Sequence, residues 1–292
     1  MLRVMTNPQH GTSAAGLPAA EIGVIGGTGL YALVDDLVEV SVDTPYGPPS
    51  DSLFVGAMAG RQVAFLPRHG REHRIPPHRI NYRANLWALR SLGVRQVLGP
   101  CATGGLRAEH GPGTLLVPDQ FVDRTSGRTQ TFYDGVPRAD GAVPEVVHVS
   151  AADPYCPAGR AVAVKAAGAA GWEPVDGGTL VVIEGPRFST RAESRWYGAQ
   201  GWSVVGMTGH PEAVLARELG LCYTSIAVVT DLDAGVETGE GVTHTEVLRV
   251  FAGSIDRLRG VLHGAVAGLP ATAERDCVCS HALDGLETGL GF

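Results

Sequence analysis

The sequence predicts a single-domain α/β fold on three observations. From Glu21 onward, short β-branched runs alternate with longer amphipathic stretches, the pattern of strands interleaved with helices. The 292 residues suffice for one large core, and α/β sheets of this length commonly fold as one unit. A hydrophobic content of 44% with 18% charged residues is the balance of a globular chain.

Residues 1–20 mix Gly, Pro, Ser and Ala without a period and read as a flexible leader. The domain is expected over 21–270. Its strands are expected in EIGVIGG, RQVAFLP, RQVLGP, GTLLVPD, GTLVVIEG, WSVVGM and TSIAVVTD. Helices are expected in INYRANLWALRSLG, CPAGRAVAVKAAGAAG, HPEAVLARELG and VTHTEVLRVFAGSIDRLRGVLHGAVAGL, several ending at a glycine suited to a C-terminal cap. The last is the clearest, because Thr243 and Glu246 have capping-box spacing and Val247, Phe251, Ile255, Leu258, Leu262 and Val266 recur at steps of three and four. No repeat or linker precedes the tail, 271–292, which carries a CxC pair.

A net charge of -7 offers no broad basic surface for nucleic acid, so any anion must be held by a local site. No apolar stretch is long enough to span a bilayer and no signal peptide opens the chain, so a soluble cytoplasmic protein is expected. Five cysteines are an odd number. Cys101, Cys156 and Cys222 are scattered through well-patterned sequence, which argues for reduced thiols rather than a disulfide framework.

Several strand ends carry polar chemistry. GVIGGTGLY, residues 23–31, ends a strand in a glycine-rich turn that either holds a phosphate through backbone N–H groups and Thr28 or is simply a tight turn. It lacks the immediate helix of a dinucleotide fold and runs instead into VDTPYGPPSDSL. LPRHGREH gathers Arg68, His69, Arg71 and His73 at a strand end, where a guanidinium fork can grip phosphate and a histidine can donate a further bond. A second glycine-rich strand end, PCATGGL, favours this over a solvated basic loop. Phe188 and Ser189 in IEGPRFSTRAES, and Met207 and Thr208 before a helix, either line a nucleoside pocket or belong to ordinary packing. AVVTDLDAGV delivers Asp231 and Asp233, two carboxylates that point the same way on an extended chain and can crowd one another upward in pKa. A metal there is disfavoured, since no further ligand lies at the right spacing.

Taken in order, GGTG, DTPYGPPSD, RHGREH, NYRANLWAL, DQFVDRT, FYDG, IEGPRFSTRAES, MTGHPEAVLARE and TDLD resemble the purine nucleoside phosphorylase superfamily, specifically its trimeric 5′-methylthioadenosine phosphorylases. The match runs from about Glu21 to Pro270. The resemblance implies a twisted mixed sheet flanked by helices, a homotrimer with sites near subunit interfaces, and a pentosyltransferase of purine and methionine salvage. It implies phosphate at Thr28, Arg68, His69, Ala102 and Thr208, ribose against Met207, the base at Phe188 and Ser189, and adenine read by Asp231 and Asp233. The 5′ group would meet His73, His244 and Val247.

The expected reaction is phosphorolysis of a 5′-deoxy-5′-substituted adenosine, 5′-methylthioadenosine first, with Arg68 and His69 placing phosphate and Asp231, beside Asp233, supplying a proton at N7. Alternatives are a 5′-halo-5′-deoxyadenosine phosphorylase, a 6-oxopurine nucleoside phosphorylase and a purine nucleoside sensor. Phosphate is a co-substrate, and neither metal nor organic cofactor is expected. Cys101 stands where the family often has Thr, and His244 where relatives place a small apolar residue. The tail, with Cys277, Cys279 and His281, reads as loose, its CxC incidental or redox-active rather than metal-binding.

Overall fold

The computed structural model describes residues 16–27, 35–235 and 242–292. Among them eleven strands make one mixed sheet, with five α-helices. The strands are β1 (Ile22–Gly26), β2 (Asp35–Val40), β3 (Leu53–Met58), β4 (Arg61–Pro67), β5 (Gln96–Gly105), β6 (Leu115–Val117), β7 (Gln120–Arg124), β8 (Val175–Asp176), β9 (Thr179–Ile183), β10 (Val204–Gly206) and β11 (Cys222–Leu232). The helices are α1 (Tyr82–Ser91), α2 (Pro157–Ala169), α3 (Arg191–Ala199), α4 (Gly209–Glu218) and α5 (His244–Gly268).

Period-two alternation assigns each strand residue to one face of the sheet. In β4, Val63 and Phe65 join the cluster that contains α2 and α5 residues, while Ala64 and Leu66 join the one containing α1 and α4 residues. Because both faces are covered, the central strands read as continuous apolar runs, and β11 is buried along all but its last residue. Small residues let α2 and α5 close up: a Cβ on Gly264 would sit 3.1 Å from Ala166, and one on Gly268 3.0 Å from Val162. The Thr243 hydroxyl accepts from the Glu246 N–H and starts α5 where the capping spacing placed it.

Strand β5 is the hub. It pairs in parallel with β1 and β11, and its last two residues pair antiparallel with β10, which lies beside β9 and then β7. Since β1 also runs parallel to β4, the carboxyl ends of β1, β4, β5 and β11 share one edge. Ligand sites of open α/β sheets form at such an edge.

The body extends beyond the expected limits of 21–270. Ala20, from the expected leader, is buried and donates its N–H to the Leu92 carbonyl. The tail is not loose: Cys279 and Leu290 are buried, and Phe292 packs on Trp87 with ring centroids 4.4 Å apart. Strands β2, β3, β7 and β8 and helix α3 went unread in the sequence. The last has a plain signal, the Thr190–Glu193 capping box, whose two reciprocal bonds both form.

Candidate active site

The loop after β4 starts the site. Arg68 is buried and its fork is already taken: Nε and Nη2 hold the Glu212 carboxylate at 2.5 and 3.1 Å, Nη2 also donates to the Ile25 carbonyl at 2.9 Å, and Nη1 to Pro100 at 3.0 Å. Every guanidinium N–H but one is engaged, so a two-pronged grip on phosphate by Arg68 is corrected to a single available N–H. Burial disfavours the Arg68 charge, but the attraction and hydrogen bonds of Glu212 together with weaker neighbours more than offset it and raise its pKa.

His69 is corrected in its role too. Its Nδ1 lies 2.8 Å from the Ile75 carbonyl, which can only accept, so Nδ1 carries the proton and Nε2 offers a lone pair. Burial and then the Arg68 charge push its pKa down to about 4, so the neutral ring persists at physiological pH. The other ring nitrogen, Nε2, can therefore accept a hydrogen bond and has no proton to donate. Thr208 is buried at the N-terminal end of α4, and its hydroxyl oxygen accepts no capping bond there. Ala102 is exposed in mid-strand on β5, and its carbonyl lies 4.0 Å from where a Gly206 Cβ would stand. Thr28 lies outside the described residues.

Asp231 lies at the end of β11 and Asp233 just beyond it. A register shift between Val229 and Asp231 leaves Thr230 unpaired, and Asp231 comes opposite Gly104 of β5. Asp233 sits in a 3-10 turn rather than on extended chain, so simple alternation does not align the pair. Gly104 does: a Cβ there would stand 2.9 Å from Asp231 Oδ1 and 2.9 Å from the Asp233 Cβ. Burial raises the Asp231 pKa to about 6 against the Thr230 hydroxyl, which donates to Oδ2 at 2.8 Å, and the charges of Asp233 and Glu246 push the same way. Burial raises Asp233 as well, and its Oδ2 is a buried carboxylate oxygen with no partner. The Ser189 hydroxyl lies against that carboxylate and, with Ser194, holds its pKa down against burial.

Met207 packs where a Cβ on Gly185 would come within 2.6 Å of its sulfur, which joins the ends of β9 and β10. Phe188 follows β9, half-buried. On the far side the His69 and His73 rings lie 4.5 Å apart, and burial, then the neighbouring His244, lowers the His73 pKa. His244 is exposed in the first turn of α5, with Val247 half-buried one turn on. The charge of Glu246 in that turn adds a small upward push on the Asp231 pKa.

The arrangement thus offers a protonatable carboxyl pair, a lone-pair histidine and the Thr208 hydroxyl on one sheet edge, a setting for breaking a bond to a base with an anionic nucleophile. Residues 21–267 match the family model described as the phosphorylase superfamily. The chain belongs to that superfamily. A Streptomyces coelicolor protein named purine nucleoside phosphorylase is 74% identical over 94% of this chain and 98% of its own length. The S-methyl-5′-thioadenosine phosphorylase of Mycolicibacterium smegmatis is 52% identical over 93% and 98%. A methylthioadenosine phosphorylase from an antarctic soil metagenomic library superposes with a TM-score of 0.83 at 39% identity, covering 91% of each chain.

Four side chains that support this phosphorylase edge were not read from the sequence. Glu212 stands at the apolar spacing of Leu215, Ala216 and Leu219, so a carboxylate on the buried stripe was the available sign of its ion pair. It also accepts from the Tyr223 hydroxyl at 2.6 Å. Arg128 lies in a loop with no pattern around it, yet it donates to the carbonyls of Ile183, Glu184, Met207 and His210, to the Tyr82 hydroxyl and to the Glu184 carboxylate. It ties the β9 and β10 ends together. Thr230 fills the bulge, and Ser194 of α3 donates to the Asp233 carbonyl.

Proposed function

We propose that this phosphorylase cleaves a 5′-deoxy-5′-substituted adenosine with phosphate, 5′-methylthioadenosine being the leading substrate, to give adenine and the 5-substituted ribose 1-phosphate. The observation that carries the reading is the buried Asp231–Asp233 pair with an unmatched acceptor at Asp233 Oδ2. An exocyclic amine supplies the donor that this oxygen lacks, whereas a 6-oxo group would present a further acceptor. Protonated Asp231 transfers its proton to N7 as the C1′–N9 bond breaks, so the base departs neutral while a phosphate oxygen bonds to C1′. Thr208, the remaining Arg68 N–H and the His69 lone pair orient that phosphate, with Thr28 proposed as a further contact, and no metal or organic cofactor takes part. Phe188, Ser189 and Met207 hold the nucleoside, and His73, His244 and Val247 meet the 5′ group.

The name of the Streptomyces coelicolor relative favours a second reading, a purine nucleoside phosphorylase of broader or 6-oxopurine specificity. Product analysis with phosphate and paired adenosine and inosine substrates separates them: preferential hypoxanthine release would overturn the adenine reading. Binding without phosphate-dependent turnover would mark a sensor instead. A kcat/KM series across methylthio, halogen and hydroxyl substituents assigns the 5′ group. A homotrimer working in the cytoplasm in purine and methionine salvage completes the reading, and light scattering checks the assembly.

A further inference from the structure

Four thiols converge away from the catalytic edge. Cys156 caps α2, Cys222 opens β11, and Cys277 and Cys279 come from the tail. All four Sγ atoms lie within 4.8 Å of one another, with Cys156 and Cys222 at 3.7 and 3.3 Å from Cys277. Thiolates around zinc at about 2.3 Å define a tetrahedron with edges of about 3.8 Å. The cluster has that size.

Its surroundings suit thiolates. The Gly159 N–H, in the first turn of α2, points at Cys156 Sγ from 3.4 Å. Arg275 donates to Cys222 Sγ at 3.3 Å, and the buried Arg217 to Cys279 Sγ at 3.6 Å. Zinc with four thiolates carries a net double negative charge, which two guanidinium groups offset, and N–H donors to sulfur are the outer contacts such ligands take.

We propose that Cys156, Cys222, Cys277 and Cys279 bind one zinc ion as a closed structural site. Four protein ligands leave no open position for substrate, so the ion takes no part in phosphorolysis. Asp231 lies nine residues along β11 from Cys222, roughly 30 Å at the rise of a strand. The ion links the start of β11 and the head of α2 to the tail, which runs on to bury Leu290 and to place Phe292 between Trp87 and Arg90. Zinc in this view is a staple that fixes where the tail docks.

The test uses the full chain, purified under reducing conditions and then supplied with zinc. Mass spectrometry of the metal content should find one zinc per chain, and thiol counting in denaturant with a chelator should find all the cysteines reduced. Cobalt substitution should give the intense visible bands of a tetrahedral thiolate site. The Cys277→Ser, Cys279→Ser double variant should lose the metal, and chelation of the wild type should expose the tail to limited proteolysis. A reduced chain that takes up neither zinc nor cobalt overturns the proposal. So does a chain isolated with the four thiols paired as two disulfides that takes up no metal after reduction, or zinc retained in full by the double variant.

Discussion

Replacing Asp231 by asparagine removes the charge but keeps the shape, so the cost of the buried carboxylate can be read directly. Burial moves this carboxyl from 3.8 to about 6. At about 1.4 kcal/mol per pKa unit, holding it ionised in the folded chain costs about 3 kcal/mol. Between those two values the folded chain binds more protons than the unfolded one, so stability falls as pH rises through the window and stays low above it. Asp231→Asn escapes that loss. The variant should be more stable than wild type by about 3 kcal/mol near pH 8, and no different below pH 4. With an unfolding entropy of about 2.1 cal/mol/K per residue, the gain is about 5 °C in Tm.

The same variant should lose activity, because asparagine has no proton to give. General acid catalysis contributes roughly 10²–10⁴-fold, so kcat/KM should fall by that order. In the wild type the rate should decline as pH rises above about 6, where the acid form empties, and this limb should vanish in the variant. Thermal melts and kcat/KM of both proteins across the pH range measure the two effects. Parallel melting curves at every pH would refute the burial argument, and an unchanged rate would remove Asp231 from the chemistry.

Arg68→Ala leaves Glu212 as an unpaired charge in the core and should destabilise the chain by about 3–5 kcal/mol, read in denaturant melts, rather than merely raising the KM for phosphate. Gly104→Ala drives a methyl group against both aspartates and should lower kcat/KM at least tenfold; a normal rate would mean that their spacing is immaterial. Arg128→Ala frees the β9 and β10 ends and should raise the nucleoside KM, and Arg128→Lys should rescue little because an ammonium lacks the fork. His244→Val should shift selectivity toward larger apolar 5′ groups by about 1–3 kcal/mol, and identical relative kcat/KM across the substituent series would exclude it from the pocket.

The central strands and the long helices were legible because burial on a sheet face or a helix stripe writes a period into the sequence. RQVAFLP became β4 residue for residue, and the Thr243–Glu246 spacing marked the start of α5. β7 was not legible, since its half-exposed residues QFVDR carry too little apolar alternation to distinguish strand from loop. The position of Asp231 was readable as a strand end, but not its partner geometry, because a bulge and the absence of a side chain at Gly104 decide it. Cys156, Cys222 and the CxC pair looked unrelated for a similar reason. Their meeting depends on where the tail docks, and no local pattern encodes that.

The buried charges at the carboxyl edge fall into two kinds, and the difference separates support from chemistry. Arg68 and Glu212 cancel one another, and their remaining bonds go to Ile25 of β1, Pro100 of β5 and Tyr223 of β11, which ties those strands to the end of β4. A pair so fully satisfied has little left to give a substrate beyond one N–H. Asp231 and Asp233 repel one another, are held together by the room at Gly104, and keep an oxygen without a donor. Folding leaves that acceptor unmatched at a cost of about 1–3 kcal/mol for a neutral group and more for a charged one. In the proposed reaction a base that donates to Asp233 relieves this penalty, while the cost of ionising Asp231 beside it keeps that proton in place until N7 accepts it.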